Sequence, residues 1–243
     1  MSPLGLYTRT EILVGRAGLH RLQQAHVLLA GLGGVGAFAA EALCRAGIGR
    51  LTLVDHDVVE WTDFNRQLPS SLETLGQKKT KVMGDRLSLI NPECELIILD
   101  QFLTPALIPA ILDAAQPNWV LDAIDSLNSK VGLLVEARTR GLRVASSMGA
   151  GGRLDPSALQ VGDLMDSTIC PLARDVRRRL HRRGCGRGII AVWSIEPPAR
   201  PLPPEPTSFG RPRAINGTIS YLPALFGMTL AGVVIRNILQ SET

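Results

Sequence analysis

Residues 25–57 read AHVLLAGLGGVGAFAAEALCRAGIGRLTLVDHD, and this stretch decides the fold. His26 to Ala30 has the length and residue types of a buried strand. Gly31, Gly33, Gly34 and Gly36 follow at once, and helical spacing then runs from Val35 to about Ala46. A second apolar strand, Leu51 to Val54, ends in Asp55. Strand, glycine turn, helix, strand and acid, in that order, form a nucleotide-binding βαβ unit. Gly31 permits the tight turn, Gly33 lets backbone N–H groups approach a phosphate, and Gly36 lets the helix pack close on the strand. The helix N-terminus adds unpaired donors and about half a positive charge. Asp55 follows where a carboxylate can accept from ribose hydroxyls. The unit alone leaves the identity of the nucleotide open.

Working outward, Thr8 to Gln24 has helical spacing, with Thr10 as candidate N-cap and Leu13, Leu19 and Leu22 as apolar anchors. Residues 58–76 are irregular and expected to wrap over the strand ends. Gln77 to Asn91 returns to helical spacing and stops at Pro92. Glu95 to Leu99 reads as a strand, Pro105 to Ala115 as a helix, and Trp119 to Ala123 as a strand. Leu127 to Arg140 then reads as a helix and Arg143 to Ser147 as a strand. This alternation predicts an α/β fold, Rossmann-like, with a doubly wound and mostly parallel sheet. After Gly149 the pattern changes. Short apolar pieces at Leu154 and at Leu159 to Val161 precede a basic helix from Pro171 to about Arg183 and a strand at Ile189 to Ile195. The C-terminal extension closes with a loop at 196–212 holding seven prolines, then the apolar stretch Ser220 to Leu239. Pro223, Gly227, Ala231 and Gly232 suit close helix packing, and Arg236 and Asn237 shorten the clean apolar run. A buried core helix is therefore expected there rather than a membrane span.

At 45% hydrophobic and 20% charged residues over a length of 243, the chain has the balance of a soluble globular protein. Cys44, Cys94, Cys170 and Cys185 are widely spaced without a CxxC pair, which argues against a zinc ribbon and a disulfide framework and fits a reducing compartment. The first 25 residues hold no apolar h-region, so no signal peptide is expected and a cytoplasmic location is. The net charge of +4 is concentrated: seven arginines stand between Arg174 and Arg187 against one acid, Asp175. Such a run is usually a solvated helix face, and a nucleic-acid substrate would use it for phosphate contacts.

The polar residues expected at the carboxyl ends of the strands are the glycines, Asp55 and Asp57, then Asp122 and Asp125 in LDAIDS. Asn65, Arg66, Gln67 and the cations Lys78, Lys79 and Lys81 lie between them in sequence. A glycine cradle, an acid for a ribose, several cations and an acid for a metal suit a nucleoside triphosphate better than a dinucleotide, which needs no such cations. No GxxxxGK[ST] is present, so this is not a P-loop. Asp122 is read as capping its strand end, Asp57 as either assisting Asp55 or capping a turn, and His20, His26, His56 and His181 as structural.

The string GLGGVGAFAAEALCRAGIGRLTLVDHDVVEWTDFNRQ, followed by GQKKTKV, NPEC and LDAIDS, resembles the ThiF/MoeB/ubiquitin-activating enzyme superfamily. TRTEILVG, SSMGAGGRLDP, PLARDVRRRL and GTISYLPALFG bring the resemblance closer to its tRNA threonylcarbamoyladenosine dehydratase branch, and the likeness covers essentially the whole chain. The resemblance implies one ThiF-type adenylating domain over 1–243, with a nucleotide-binding half at 1–150 and a substrate and dimer half at 151–243. It implies that the chain adenylates a carboxylate with ATP and Mg²⁺. Gly31, Gly33, Gly34 and Gly36 would cradle the phosphates, Asp55 would hold the ribose with Asp57 beside it, and Asn65 would belong to the nucleotide site. Arg66 and Lys79 would bind phosphates and stabilise charge at phosphorus, and Asp125 would hold Mg²⁺. Arg9 would reach into the partner's site of a homodimer. A monovalent cation site (Na⁺ or K⁺) in the C-terminal half and a cysteine-desulfurase sulfur-relay partner are left open by it.

The chain departs from the pattern in three places. Asp63 stands where the superfamily usually has Asn, Cys170 stands where the branch commonly has Asp, and the paired CxxC motifs of the sulfur-carrier-activating branches are absent. Cys170 is read as a buried thiol rather than a thioester-forming nucleophile. The leading reading is an ATP-dependent dehydratase that closes the threonylcarbamoyl group of modified tRNA into a ring. Adenylation of the C-terminus of a sulfur-carrier or ubiquitin-like protein is the alternative, and a non-catalytic nucleotide-sensing scaffold is the third reading. An NAD oxidoreductase ranks last.

Overall fold

The computed structural model describes residues 5–203 and 216–240. Its centre is a seven-stranded sheet with strands β1 (His26–Ala30), β2 (Arg50–Asp55), β3 (Glu95–Asp100), β4 (Trp119–Asp122), β5 (Arg143–Ser147), β6 (Leu159–Asp163) and β7 (Ile189–Ser194). The spatial order is β3-β2-β1-β4-β5-β7-β6, and every pairing is parallel except β6 with β7. β1 and β4 are buried along their whole length, as strands covered on both faces must be, and this explains their unbroken apolar composition. The order reverses between β1 and β4, so their following loops diverge and leave a crevice at the carboxyl edge.

Two apolar clusters cover the two faces. One packs helix α2 (Gly36–Ala46) and the long helix α7 (Leu222–Gln240) on the sheet; the other packs α4 (Ile108–Ala115), α5 (Leu127–Thr139) and α6 (Pro171–His181). Helix α3 (Lys79–Ile90) leads into β3. The apolar C-terminal stretch is thus a core helix within the fold: Leu222, Phe226, Leu230 and Val234 are fully buried, although α7 has the length and composition to cross a membrane. Each such side chain contributes about 1.5–3 kcal/mol of burial. Gly227 makes the close approach possible, because a Cβ there would run into the Val35 carbonyl at the start of α2.

The first helix, α1 (Thr8–Gln24), departs from the expectation. Gly15 sits at φ +72° and ψ 168° and breaks it in two, so the stripe formed by Leu19 and Leu22 does not continue to Leu13. Leu13 is 86% exposed and is not an anchor. Thr10 lies inside the helix; Tyr7 occupies the N-cap position, and the Thr8 hydroxyl exchanges hydrogen bonds with the Gly5 backbone instead. The piece at 159–161 extends into β6, and one sheet therefore runs through both sequence halves. Of the proline-rich loop at 196–212, only the part to residue 203 is described, and the rest lies outside the described residues.

Candidate active site

The crevice between the loops after β1 and β4 is a cavity of about 850 Å³. Gly31, Gly33 and Gly34 form one wall, Asp55, His56 and Asp57 another, and Arg66 and Lys79 a third; Asp125, Ser126 and Ser129 come from the loop after β4 and the start of α5. Sequence positions nearly 100 apart therefore meet because β1 and β4 are sheet neighbours with Ala30 opposite Asp122.

The glycines divide the work. Gly31 needs its φ of +92°, and a Cβ there would stand 2.8 Å from the Ala123 carbonyl oxygen, so this glycine lets the two loops touch. At Gly33 a Cβ would meet nothing closer than the Gln67 side chain at 3.7 Å, which leaves open space for a ligand. Gly36 does not border the cavity. It packs against the Gly31 carbonyl, where any side chain would collide. No side chain caps the N-terminus of α2; the Ala37 amide donates to the Gly33 carbonyl, and the other amides of the first turn are left for an anion.

Asp55 is nearly buried, and its two oxygens accept from the Leu32 amide at 2.5 Å and the Asp57 amide at 2.8 Å. Asp57 pairs with Lys79 at 3.3 Å and with His56 at 3.1 Å. Possible ligand atoms of Asp55, His56 and Asp57 lie within 4.8 Å of one another, and His56 borders the cavity with its ring edge-on to Phe102. Lys79 is 4% exposed, and Asp57 and Asp63 are its ion-pair partners. Of the other two lysines, Lys81 pairs with Asp85 on the surface and Lys78 binds the His56 carbonyl and Asp100. Asn65 does not border the cavity. Its amide donates to the Thr218 carbonyl and its oxygen accepts from Arg66 at 2.9 Å, so it orients Arg66 and ties this loop to the start of the α7 segment. Arg9 is exposed on the first turn of α1 and does not border this cavity.

Asp122 does more than cap its strand. It is fully buried with the equally buried Lys130, whose ammonium donates to Asp122 at 2.5 Å, to the Ser147 carbonyl at 2.9 Å and to the Ser146 hydroxyl at 3.4 Å. The other Asp122 oxygen accepts from the Ile124 amide, which shapes the turn that presents Asp125. Sequence reasoning missed Lys130; the signal was a lysine inside an otherwise apolar helix. None of the four cysteines borders the cavity. Cys170 is buried at the N-cap of α6, and burial pushes the Cys185 thiol up, away from thiolate chemistry.

Arginines of the α6 region divide into two sets. Arg177 is held by Ser167, Arg179 by Asn128 and Arg187 by Asp166, while Arg178 pairs with Asp175 on the same helix. Arg174, Arg182 and Arg183 form no ion pair among the described residues. Arg174, Arg178, His181 and Arg182 line a shallow depression on the outer face of α6.

The ThiF family model matches residues 7–243. The chain belongs to the ThiF family. It is 34% identical to the tRNA threonylcarbamoyladenosine dehydratase of Bacillus subtilis over 241 residues, which covers 96% of this chain and 94% of that protein. With the Escherichia coli protein of the same name it shares 40% identity over 171 residues, covering 70% of this chain and 63% of its relative. The crystal structure of the E. coli enzyme in complex with ATP superimposes with a TM-score of 0.86 at 32% identity, over 96% of this chain and 93% of that one. The overall fold is thus shared with that enzyme over nearly the full length of both chains.

Proposed function

We propose that this protein is an ATP-dependent dehydratase that adenylates the threonylcarbamoyl carboxylate of modified adenosine in tRNA and closes it into a ring with loss of water. The observation that carries the reading is the convergence of Arg66, Lys79 and Asp125 on one cavity, opposite a glycine loop and uncapped helix N-terminus. The family relation to dehydratases along the whole chain supports the choice of substrate.

In this reading Gly33, Gly34 and the α2 amides hold phosphate oxygens, and Asp55 receives the ribose hydroxyls. The wall formed by Asp125, Ser126 and Ser129 offers only hard oxygen donors, which fits Mg²⁺, with Asp125 as its carboxylate. Bound there, the metal supplies charge neutralisation to the phosphates. Arg66 and Lys79 stabilise the charge that builds on the α-phosphorus while the substrate carboxylate attacks and pyrophosphate leaves. The carbamoyl group of the same substrate then closes on the activated carbonyl, releasing its N–H proton as AMP leaves. Held on one molecule, it has a high effective concentration and needs no protein nucleophile, in keeping with the absence of a cysteine from the cavity walls.

The outer face of α6 and the turn that follows it, with Arg174, Arg182 and Arg183, is the tRNA phosphate surface in this proposal. A homodimer, with Arg9 entering the partner's site, completes it, and the exposed Leu6, Ile12 and Leu13 on the α1 segment are the apolar surface such a dimer would cover. One adenylating domain over 1–243, a cytoplasmic location, a monovalent cation and a sulfur-relay partner belong to the same proposal. The alternative acceptor, a carrier-protein C-terminus, is favoured by no observation in the cavity.

The test is AMP formation from ATP and Mg²⁺ with tRNA bearing threonylcarbamoyladenosine, with unmodified tRNA as control and mass spectrometry of the nucleoside. The expected result is AMP release with loss of one water, and a fall of at least about 10²-fold in Asp125→Ala. ATP turnover without the dehydrated nucleoside would defeat the tRNA reading.

A further inference from the structure

Asp63 is a buried carboxylate behind the cavity wall, 6% exposed, in the short 3-10 turn Trp61–Asp63. One of its tasks is local: its side chain accepts from the Glu60 amide at 3.1 Å, half of a reciprocal cap with Glu60. That task needs one hydrogen-bond acceptor and no charge. Its other three partners all border the cavity. Gln67 donates to it at 2.6 Å, and Lys79 and Arg66 lie 3.4 Å and 3.7 Å from its oxygens. Asp63 itself does not border the cavity.

Lys79 is a nearly buried ammonium, and such a charge requires compensation. Asp57 and Asp63 provide it, and Asp57 is half exposed, so Asp63 is the desolvated counter-charge. Resting on the adenylation reading, we propose that Asp63 is a positioning residue that acts as the resident counter-ion of Lys79 and Arg66. In the free protein it holds both cations at the cavity wall. When a polyphosphate binds, the same two cations must serve the phosphates, and Asp63 then stands as an uncompensated like charge behind them. Nucleotide binding is in this sense a charge exchange, and the Asp63 carboxylate sets its strength.

The variant that isolates the charge is Asp63→Asn, which keeps the size of the side chain and an acceptor for the cap. Binding of ATP with Mg²⁺ and of AMP would be measured by calorimetry on wild type and variant, with thermal melts of each with and without nucleotide. The expected result is ATP binding about tenfold tighter in the variant, with a clearly smaller gain for AMP, which lacks the outer phosphates. Without nucleotide the variant melts lower, since Lys79 has lost a counter-charge, and its ATP-induced rise is larger than that of wild type. A purely capping role, which the Asn oxygen also fills, would leave both the melting temperature and the ratio of ATP to AMP affinity unmoved, and that outcome overturns the proposal. So does weaker ATP binding in the variant. Should Asp63→Asn not fold, Asp63→Ser retains an acceptor for Glu60 and answers the same question. If wild type itself fails to bind ATP, the adenylation reading falls; if wild type binds and only the variant disappoints, the counter-ion proposal alone falls.

Discussion

Lys130 and Asp122 bury opposite charges with every Lys130 donor placed on an acceptor. Removing one partner from such a pair strands the other charge, whereas replacing both by neutral groups of similar size costs little. Lys130→Met is therefore expected to destabilise by about 3–5 kcal/mol, and Lys130→Met with Asp122→Asn to recover most of that, as read by denaturant unfolding. His26 is a second test at this scale. It is buried beside Thr52, and burial, followed by the nearby Arg50, holds its imidazole below the ordinary value. The unfolded chain then binds a proton that the native one does not, so stability is intact above the unfolded pKa near ~6.5 and declines as pH falls from there towards the folded value. Between about pH 7.5 and about pH 5.5, wild type should lose more melting temperature than His26→Gln by about 2–4 °C. An equal loss in both would assign the acid sensitivity to other groups.

The elements that matter are those whose backbones touch. Helix α7 lies against α2 with Gly227 facing the Val35 carbonyl, and α2 in turn meets the glycine loop through Gly36. A methyl group at 227 cannot be accommodated without moving α7 away from the helix whose N-terminus faces the cavity. Gly227→Ala should therefore lose about 1–3 kcal/mol of stability and weaken nucleotide binding at the same time, measured by melting with and without ATP. Gly232, also on α7, has open space where a Cβ would sit, and Gly232→Ala serves as the control, which should leave nucleotide binding unchanged and raise stability by up to about 1 kcal/mol through helix propensity.

At the scale of the whole molecule, the apolar surface of the α1 segment tests the proposed homodimer. Ile12 is 80% exposed and neighbours Leu13, both lying before the break at Gly15. Adjacent exposed apolar residues of this size are what the proposed homodimer would cover. The proposed homodimer predicts that Ile12→Asp with Leu13→Asp elutes at half the mass of wild type in light scattering and loses AMP formation, because Arg9 can no longer reach a partner. Retained activity in a monomer would remove Arg9 from the site.

How much of this could be read from the chain follows from which interactions are local. The βαβ unit at 26–55, the alternation of strands and helices, and the run of glycines were legible because strand burial, helix spacing and a positive φ at Gly31 impose residue types over short windows. Gly15 was legible as a residue and not as a break, since a glycine inside a helical pattern has two outcomes that only packing distinguishes. Asp122 and Asp125 sit three apart in one motif, yet one is buried against Lys130 and the other borders the cavity. That division depends on which side of the strand end each carboxylate leaves. The sequence by itself determined the element types and the residues near the strand ends. Only the tertiary structure decided that Lys79 is buried between two carboxylates and that Arg177, Arg179 and Arg187 are held by protein partners. The physical reason is that charge pairing acts between segments brought together by the sheet order, which no local pattern encodes.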